Sequence, residues 1–258
     1  MTLTPHPDWL APLWQVPGVA GLMTTRLGGA SAAPFDSMNL RAGLGDDAKA
    51  VALNLAALTL TIGARPVFLD QVHGARVVRL GPADLGTKAA LHVADACITT
   101  EPGVACAVQV ADCLPVLFTA PRGAAVGAAH AGWRGLAQGV LEATVQALCQ
   151  AAQCGPADLQ AWLGACIGPA RFEVGAEVLR AFGADPVDAD STRFQTSRAG
   201  KWLANLPLLA RDRLRAAGVA QVSGGTWCTV EAPSRFFSFR RDGVTGRMAA
   251  VVWIQPSR

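Results

Sequence analysis

The chain is short of most features that would assign it to a specialised class. No stretch approaches eighteen uninterrupted apolar residues, so no membrane span is expected. The opening MTLTPHPDWLAPLWQVPG has neither a basic lead nor a continuous apolar core, and it does not read as a secretion signal. Seven cysteines make an odd number and include no CxxC pair, so a disulfide framework is not expected and the cytoplasm is the predicted compartment. A net charge of +3, with its basic residues scattered rather than clustered, lacks the footprint of a nucleic-acid or membrane-surface binder. Neither an internal repeat nor a low-complexity linker interrupts the 258 residues. Histidine is scarce as well: there are four.

What is present is apolar surface. Hydrophobic residues make up 51% of the chain and the mean hydropathy is +0.30, enough for a sizeable core and against disorder. Residues 1–17, rich in proline and tryptophan, read as an irregular arm on a single domain spanning 1–258, whose core runs over 18–254. GVAGLMTTRLGG (18–29) reads as a short strand entering a long polar loop. Residues 46–63 have helical spacing, with Asp46 or Asp47 as N-cap and Gly63 as C-cap. RPVFLDQVHGARVVRL alternates like two short strands broken at His73-Gly74. ADACITT, GVACAVQVADCLPVLFT, GAAVGAAHAG and LQAWLGACIGP look like buried strands. Helices are predicted at LAQGVLEATVQALCQAA, GAEVLRAF and LANLPLLARDRLRAAG. AQVSGGTWCT and the pair within FFSFRRDGVTGRMAAVVWI close the chain as strands, with a hairpin turn at 242–246. Strands interspersed with helices make the class α/β or α+β, a mixed sheet layered by helices.

One constellation stands out. Cys113 in ADCLPVLF follows a buried-looking strand. His130 ends the strand before AGWRG, and His73 sits at the strand break in DQVHG. Strand ends are where loops gather ligands in α/β proteins. Three readings stand on the residues alone. Two imidazoles and a thiolate form a three-ligand set suited to zinc, with one position left for water or substrate. Alternatively, Cys113 is a nucleophile activated by a histidine. In the third, Cys113 is a small buried hydrophobe and the histidines are hydrogen-bonded loop residues. Asp112 is either a carboxylate that orients a histidine or a turn cap. Arg26, Arg134, Arg240, Arg241 and Arg247 lie in or beside glycine-containing loops, where guanidinium forks suit phosphate or carboxylate. His6, His92 and the remaining cysteines lack comparable context.

TTRLGG, PFDSMNL, GDD, DQVHG, ADCLPVLF, AHAGWRG, IGPARFEVG and FFSFRRDGVTGRMA occur in this order. Together they resemble the laccase-domain or multicopper polyphenol oxidase-like family, also called purine nucleoside phosphorylases and peptidoglycan editing factors. The resemblance runs from about Gly21 to Ile254. It implies a single layered α/β/β/α domain with mixed sheets. It also implies one zinc ion held by His73, Cys113 and His130, which are then both metal ligands and catalytic residues. The expected activity is phosphorolysis of adenosine, inosine, guanosine and methylthioadenosine, with adenosine deamination beside it; the partners are purine nucleosides and phosphate. Arg26, Asn39, Gln71 and Arg134 are assigned to substrate by their loop positions. Laccase chemistry is rejected, because four histidines cannot build a trinuclear copper cluster. Two alternatives remain: an amidase that removes a wrongly incorporated amino acid from a UDP-muramyl precursor, and a non-catalytic binding partner. The sequence departs from the family pattern at Ala170-Arg171 after IGP, at Val110 before ADC, and at Leu55 after Asn54.

Overall fold

The computed structural model describes residues 3–14, 16–86, 91–187 and 192–256. The first half of the chain supplies β1 (Val19–Met23), α1 (Ala48–Ile62), β2 (Arg65–Val67), β3 (Val77–Leu80), β4 (Ala96–Thr99), β5 (Val104–Val110), β6 (Leu114–Thr119) and β7 (Val126–Ala131). Two helices follow, α2 (Trp133–Ala137) and α3 (Val140–Ala152), then β8 (Gln160–Leu163), β9 (Glu173–Val174) and α4 (Ala176–Ala181). The chain closes through β10 (Phe194–Arg198), β11 (Lys201–Ala204), α5 (Leu206–Ala216), β12 (Gln221–Gly224), α6 (Phe239–Asp242) and β13 (Met248–Ile254).

Two mixed sheets stack face to face. The first has the order β1-β13-β5-β2 and the second the order β12-β8-β6-β7-β4-β3. Alternation along the central strands decides which layer each residue joins. In β5 and β13, Ala105, Ala107, Ala249 and Val251 turn outward onto Leu58 and Ile62 of α1. Their neighbours Cys106, Val108, Met248 and Ala250 turn inward, against Cys97, Leu117, Val126 and Trp162 of the second sheet. That sheet's other face, with Ile98, Val116 and Phe118, is covered by Val145 and Leu148 of α3 and Leu209 and Leu214 of α5. The result is the expected α/β/β/α layering.

Local chemistry sets the helix ends. The Asp47 carboxylate accepts the Lys49 N–H at the start of α1, and Gly63, at φ 62, closes its far end. Asp46, the other cap candidate, instead accepts from Ser31 and Asn39.

Three expectations need correction, and one small sheet was not foreseen. The predicted hairpin at 242–246 does not form: Phe239–Asp242 is a helical turn, capped by Ser238 and by a carboxylate 128 residues away, that of Asp112. The long helix predicted from Leu136 is split at Gly139, whose φ of 94 no helix tolerates, into α2 and α3. The helix predicted from Leu203 begins three residues later, because Asn205 accepts the Leu208 N–H as its cap while Lys201–Ala204 pairs as a strand. That strand belongs to a third small sheet, β10-β11-β9, which the hydropathy pattern does not announce because Gln195, Thr196, Ser197 and Arg198 are exposed.

Candidate metal centre and cleft

β5 belongs to the first sheet and β6 to the second, so Ala111–Cys113 carry the chain from one sheet to the other. The crossing is sharp, and Asp112 takes a φ of 97. Its carboxylate accepts from the Thr229 hydroxyl and, at 2.7 Å, from the Arg240 N–H, while its carbonyl accepts the Ile167 N–H at 2.9 Å. Asp112 therefore caps a turn and pins α6, and does not orient a histidine. What it does orient is the turn that delivers Cys113.

His130 lies opposite Pro115 in the β6–β7 pairing, on the face of the second sheet that looks toward the first. It is 3% exposed. Its Nδ1 pairs with Asp95 Oδ1 at 2.8 Å. The same buried carboxylate accepts the N–H groups of Val72, His73 and Gly74 at 3.1, 2.9 and 2.7 Å. Four donors thus hold one fully buried charge, and although burial pushes the Asp95 carboxyl up, His130 and these N–H groups bring it below the usual range. The three backbone bonds also stabilise the turn in which His73 adopts a φ of 62. By accepting from Nδ1, Asp95 fixes the His130 ring with Nε2 directed away from it, so that a metal would take the place of the proton on Nε2.

The three side chains converge. Cys113 Sγ lies 3.8 Å from His73 Nε2, the two imidazole rings are 4.8 Å apart at 74°, and all three ligand atoms fall within 4.8 Å of one another. Zn–S and Zn–N bonds of about 2.3 and 2.05 Å at a tetrahedral angle put sulfur and nitrogen about 3.6 Å apart. The donor set fits one cation with little movement. Glycine makes the approach possible, since a Cβ on Gly132 would stand 2.9 Å from Cys113 Sγ and 3.0 Å from His73 Cδ2. Burial disfavours charge on both partners, yet the Cys113 thiol is held at about 6 by His130 and His73, and His130 is raised to about 9 by Cys113 and Asp95. The sulfur is thus a ready thiolate, the form that binds a metal or attacks an electrophile.

A cleft with two lobes opens at His73 and Cys113. One lobe, of about 190 Å³, has Trp133, Arg134, Ile167, Phe172 and Arg240 on its walls. The other, of about 380 Å³, has Arg41, Gln71, Gln109, His130 and Arg247. Phe239, Ala111, His73 and Cys113 are common to both. Arginines ride on the aromatic rings: Arg134 on Trp133 at 4.4 Å, Arg240 on Phe172 at 5.5 Å and Arg247 on Phe239 at 5.7 Å.

The four residues assigned to substrate separate into two groups. Arg134 and Gln71 line the cleft, although both ends of the Gln71 amide are bonded to the Gln109 backbone. Arg26 is not on its walls: its guanidinium donates to Asp36 and to the Pro233 carbonyl and stacks on Phe237. Asn39 is fully buried and binds the backbones of Arg41 and Arg247. Several site residues escaped sequence reasoning, Trp133, Phe172, Phe239 and Gln109 as well as Asp95 and Arg41. Asp95 announced itself only as an acid beside an apolar strand, a position that requires partners; Arg41 carried no motif signal. His92 is paired with Asp84 at 2.7 Å, and His6 accepts the Asp8 N–H, so neither joins the site.

The family described as multi-copper polyphenol oxidoreductase laccase matches residues 20–255. The chain belongs to that family. Its relatives include a Pseudomonas aeruginosa protein named purine nucleoside phosphorylase, 48% identical over 96% of this chain and 98% of its own. The Escherichia coli purine nucleoside phosphorylase YfiH is 46% identical over 95% of this chain and 98% of its own. Among solved structures, a Neisseria meningitidis protein superposes with a TM-score of 0.87 at 42% identity, covering 96% of this chain and all of that one. YlmD from Geobacillus stearothermophilus does so with a TM-score of 0.89 at 31% identity, covering 99% of both. The multi-copper name of this laccase family finds no matching ligands: among the described residues, His73, Cys113 and His130 are the one cluster suited to an ion. No helix is long and apolar enough to cross a membrane among the described residues.

Proposed function

We propose that the protein is a zinc-dependent purine nucleoside phosphorylase acting on adenosine, inosine, guanosine and methylthioadenosine, with adenosine deamination as a second activity, and that it works in the cytoplasm. The observation that carries this reading is the wall formed by His73 and Cys113, common to an aromatic lobe and a guanidinium lobe. A nucleoside lying across that wall brings its glycosidic bond beside the three converging ligand atoms. Relatives named purine nucleoside phosphorylase, 46% and 48% identical over nearly the whole chain, support it.

Trp133, Phe172 and Phe239 offer flat apolar faces to a purine, and Arg134 at the edge supplies hydrogen-bond donors. Phosphorolysis joins a phosphate oxygen to C1′ of the ribose as the bond from C1′ to the purine nitrogen breaks; the proton of the hydrogen phosphate ends on that nitrogen. Deamination adds water to the ring carbon bearing the amine and releases ammonia. His73, Cys113 and His130 would hold zinc, which when bound polarises whatever occupies its open position. Asp95 fixes the His130 ring, so Nε2 is already aimed at the ligand set and only its proton has to leave when a metal binds.

The test is purified protein with adenosine and phosphate, assayed for adenine, ribose-1-phosphate and inosine before and after chelation. His130→Ala is expected to abolish all three products and lower bound zinc. Loss of zinc with unchanged nucleoside turnover would refute the role given to the centre. The Cys113 thiol, at about 6, favours one second reading, an amidase acting on a UDP-muramyl precursor with Cys113 as nucleophile. That reading predicts release of serine from the precursor and no product from nucleosides.

A further inference from the structure

The larger lobe carries a charge pattern that the ligand set does not explain. Arg41 and Arg247 both lie on its walls, and no carboxylate lines it. Burial and then the like charge of Arg41 lower the Arg247 guanidinium below its usual value, against the opposing pull of Cys113 and Asp112. Arg247 is partly occupied, donating to the Thr245 and Gly246 carbonyls through one nitrogen and stacking on Phe239. The Arg41 guanidinium makes no hydrogen bond or ion pair with any described residue. The Cys113 thiol is the one acidic side chain on these walls, and no carboxylate there neutralises the two arginines.

Their proximity is built in. Asn39, fully buried, accepts the N–H of Arg41 at 3.1 Å and of Arg247 at 2.9 Å through Oδ1, and donates to the Arg41 carbonyl at 3.1 Å and to Asp46 at 2.8 Å. One amide thereby ties a loop near the start of the chain to the entry of β13, 208 residues apart. A Cβ on Gly246 would stand 2.9 Å from the Asn39 Cβ, so the two segments meet at a distance only glycine permits.

We infer that Arg41 and Arg247 form the binding site for a phosphate dianion in the larger lobe, held side by side by Asn39. Arg134 and Arg240, in the smaller lobe, have Asp112 as a neighbour and are the poorer site for an anion. Two sources share this chemistry: free phosphate, as the phosphorylase reading requires, and the diphosphate of a nucleotide-linked substrate. The assignment to free phosphate rests on that reading; the arginine site itself does not.

The experiment titrates the zinc-supplemented protein with inorganic phosphate by calorimetry, and in a second arm with UDP-N-acetylglucosamine. Arg41→Gln is expected to weaken phosphate binding by roughly tenfold to a hundredfold, the worth of one charged hydrogen-bonding contact. Arg41→Lys should fall between, since it keeps the charge but loses the fork. Because Arg41 makes no side-chain hydrogen bond, the variant should keep the wild-type unfolding temperature; Arg247→Gln is the second variant should it not. Binding of UDP-N-acetylglucosamine but not phosphate, with the same loss in Arg41→Gln, would uphold the arginine site while ending the phosphorylase reading. Binding of neither ligand would overturn the inference. So would phosphate binding that survives both substitutions, or that disappears only on chelation.

Discussion

Replacing Asp95 by asparagine changes one atom and should disable the proposed metal centre from below. Oδ1 accepts from His73 N and His130 Nδ1, and Oδ2 from Val72 N and Gly74 N, so every direction around the carboxylate is occupied by a donor. An amide must turn its NH₂ toward one of these pairs. Facing Val72 and Gly74, it leaves two half-buried N–H groups without their acceptor and loosens the turn that holds His73. Facing His130, it drives the ring to the other tautomer and places a proton on Nε2, where the lone pair is needed. Unpaired donors at about 1–3 kcal/mol each make the total about 3 kcal/mol. For a chain of this size that is a fall of roughly 6–12 °C in unfolding temperature. Metal affinity should drop by about 10- to 100-fold, the usual cost of losing a carboxylate behind a ligating histidine. Calorimetric melting and competition for zinc against a chelator measure the two effects. An Asp95→Asn protein that melts and binds zinc like the wild type would show that the carboxylate does not organise the site.

Gly132→Ala should cost about 1–3 kcal/mol of stability and reduce zinc per chain on elemental analysis, because its Cβ must displace Cys113 Sγ or His73; full occupancy would contradict the close approach. Asp112→Ala removes the acceptor for Arg240 N and Thr229, so α6 should loosen and the KM for nucleoside rise several-fold as Phe239 loses its position. Asp84 is held below its ordinary 3.8 by the Gly81 N–H and His92. Its contribution to stability is therefore present above about pH 4 and lost as pH falls through the lowered folded-state value, so Asp84→Asn should melt slightly earlier than wild type at pH 7 and the gap should narrow as the pH is taken below 3.8.

Much of the fold was legible because its main signals are local. The apolar run of β5, broken only by Gln109, and the Asp47 and Gly63 caps of α1 announce themselves within a few neighbours. The candidate cluster was legible for a different reason: histidine and cysteine at strand ends are few and glycines mark where the chain turns, which brought His73, Cys113 and His130 together under three readings, and the family resemblance singled out the metal one. What escaped depends on partners distant in sequence. The phenylalanine-rich run at 236–239 invites a strand, but Asp112, 128 residues before Arg240, accepts the Arg240 N–H, and 239–242 turns helical. Arg26 looked like a substrate group because it sits in a glycine-rich loop; its donors are consumed by Asp36 and by Pro233, the latter 207 residues on. Asn39, read as a substrate contact, is instead a buried tie between two arginine backbones.

Two aspartates do comparable work from opposite sides of the centre. Asp95 gathers the His73 turn and the His130 ring; Asp112, at the sheet crossing next to Cys113, gathers α6 and the segment around Thr229. Each is buried, each takes donors from segments remote in sequence, and each is costly unless all those segments are in place. The ligands are therefore positioned by the same event that stacks the two sheets. No fragment carrying only one of the motifs DQVHG, ADC or AHAGWRG has the partners to orient its ligand, so a competent three-ligand centre should appear with the fully packed sheets and not before.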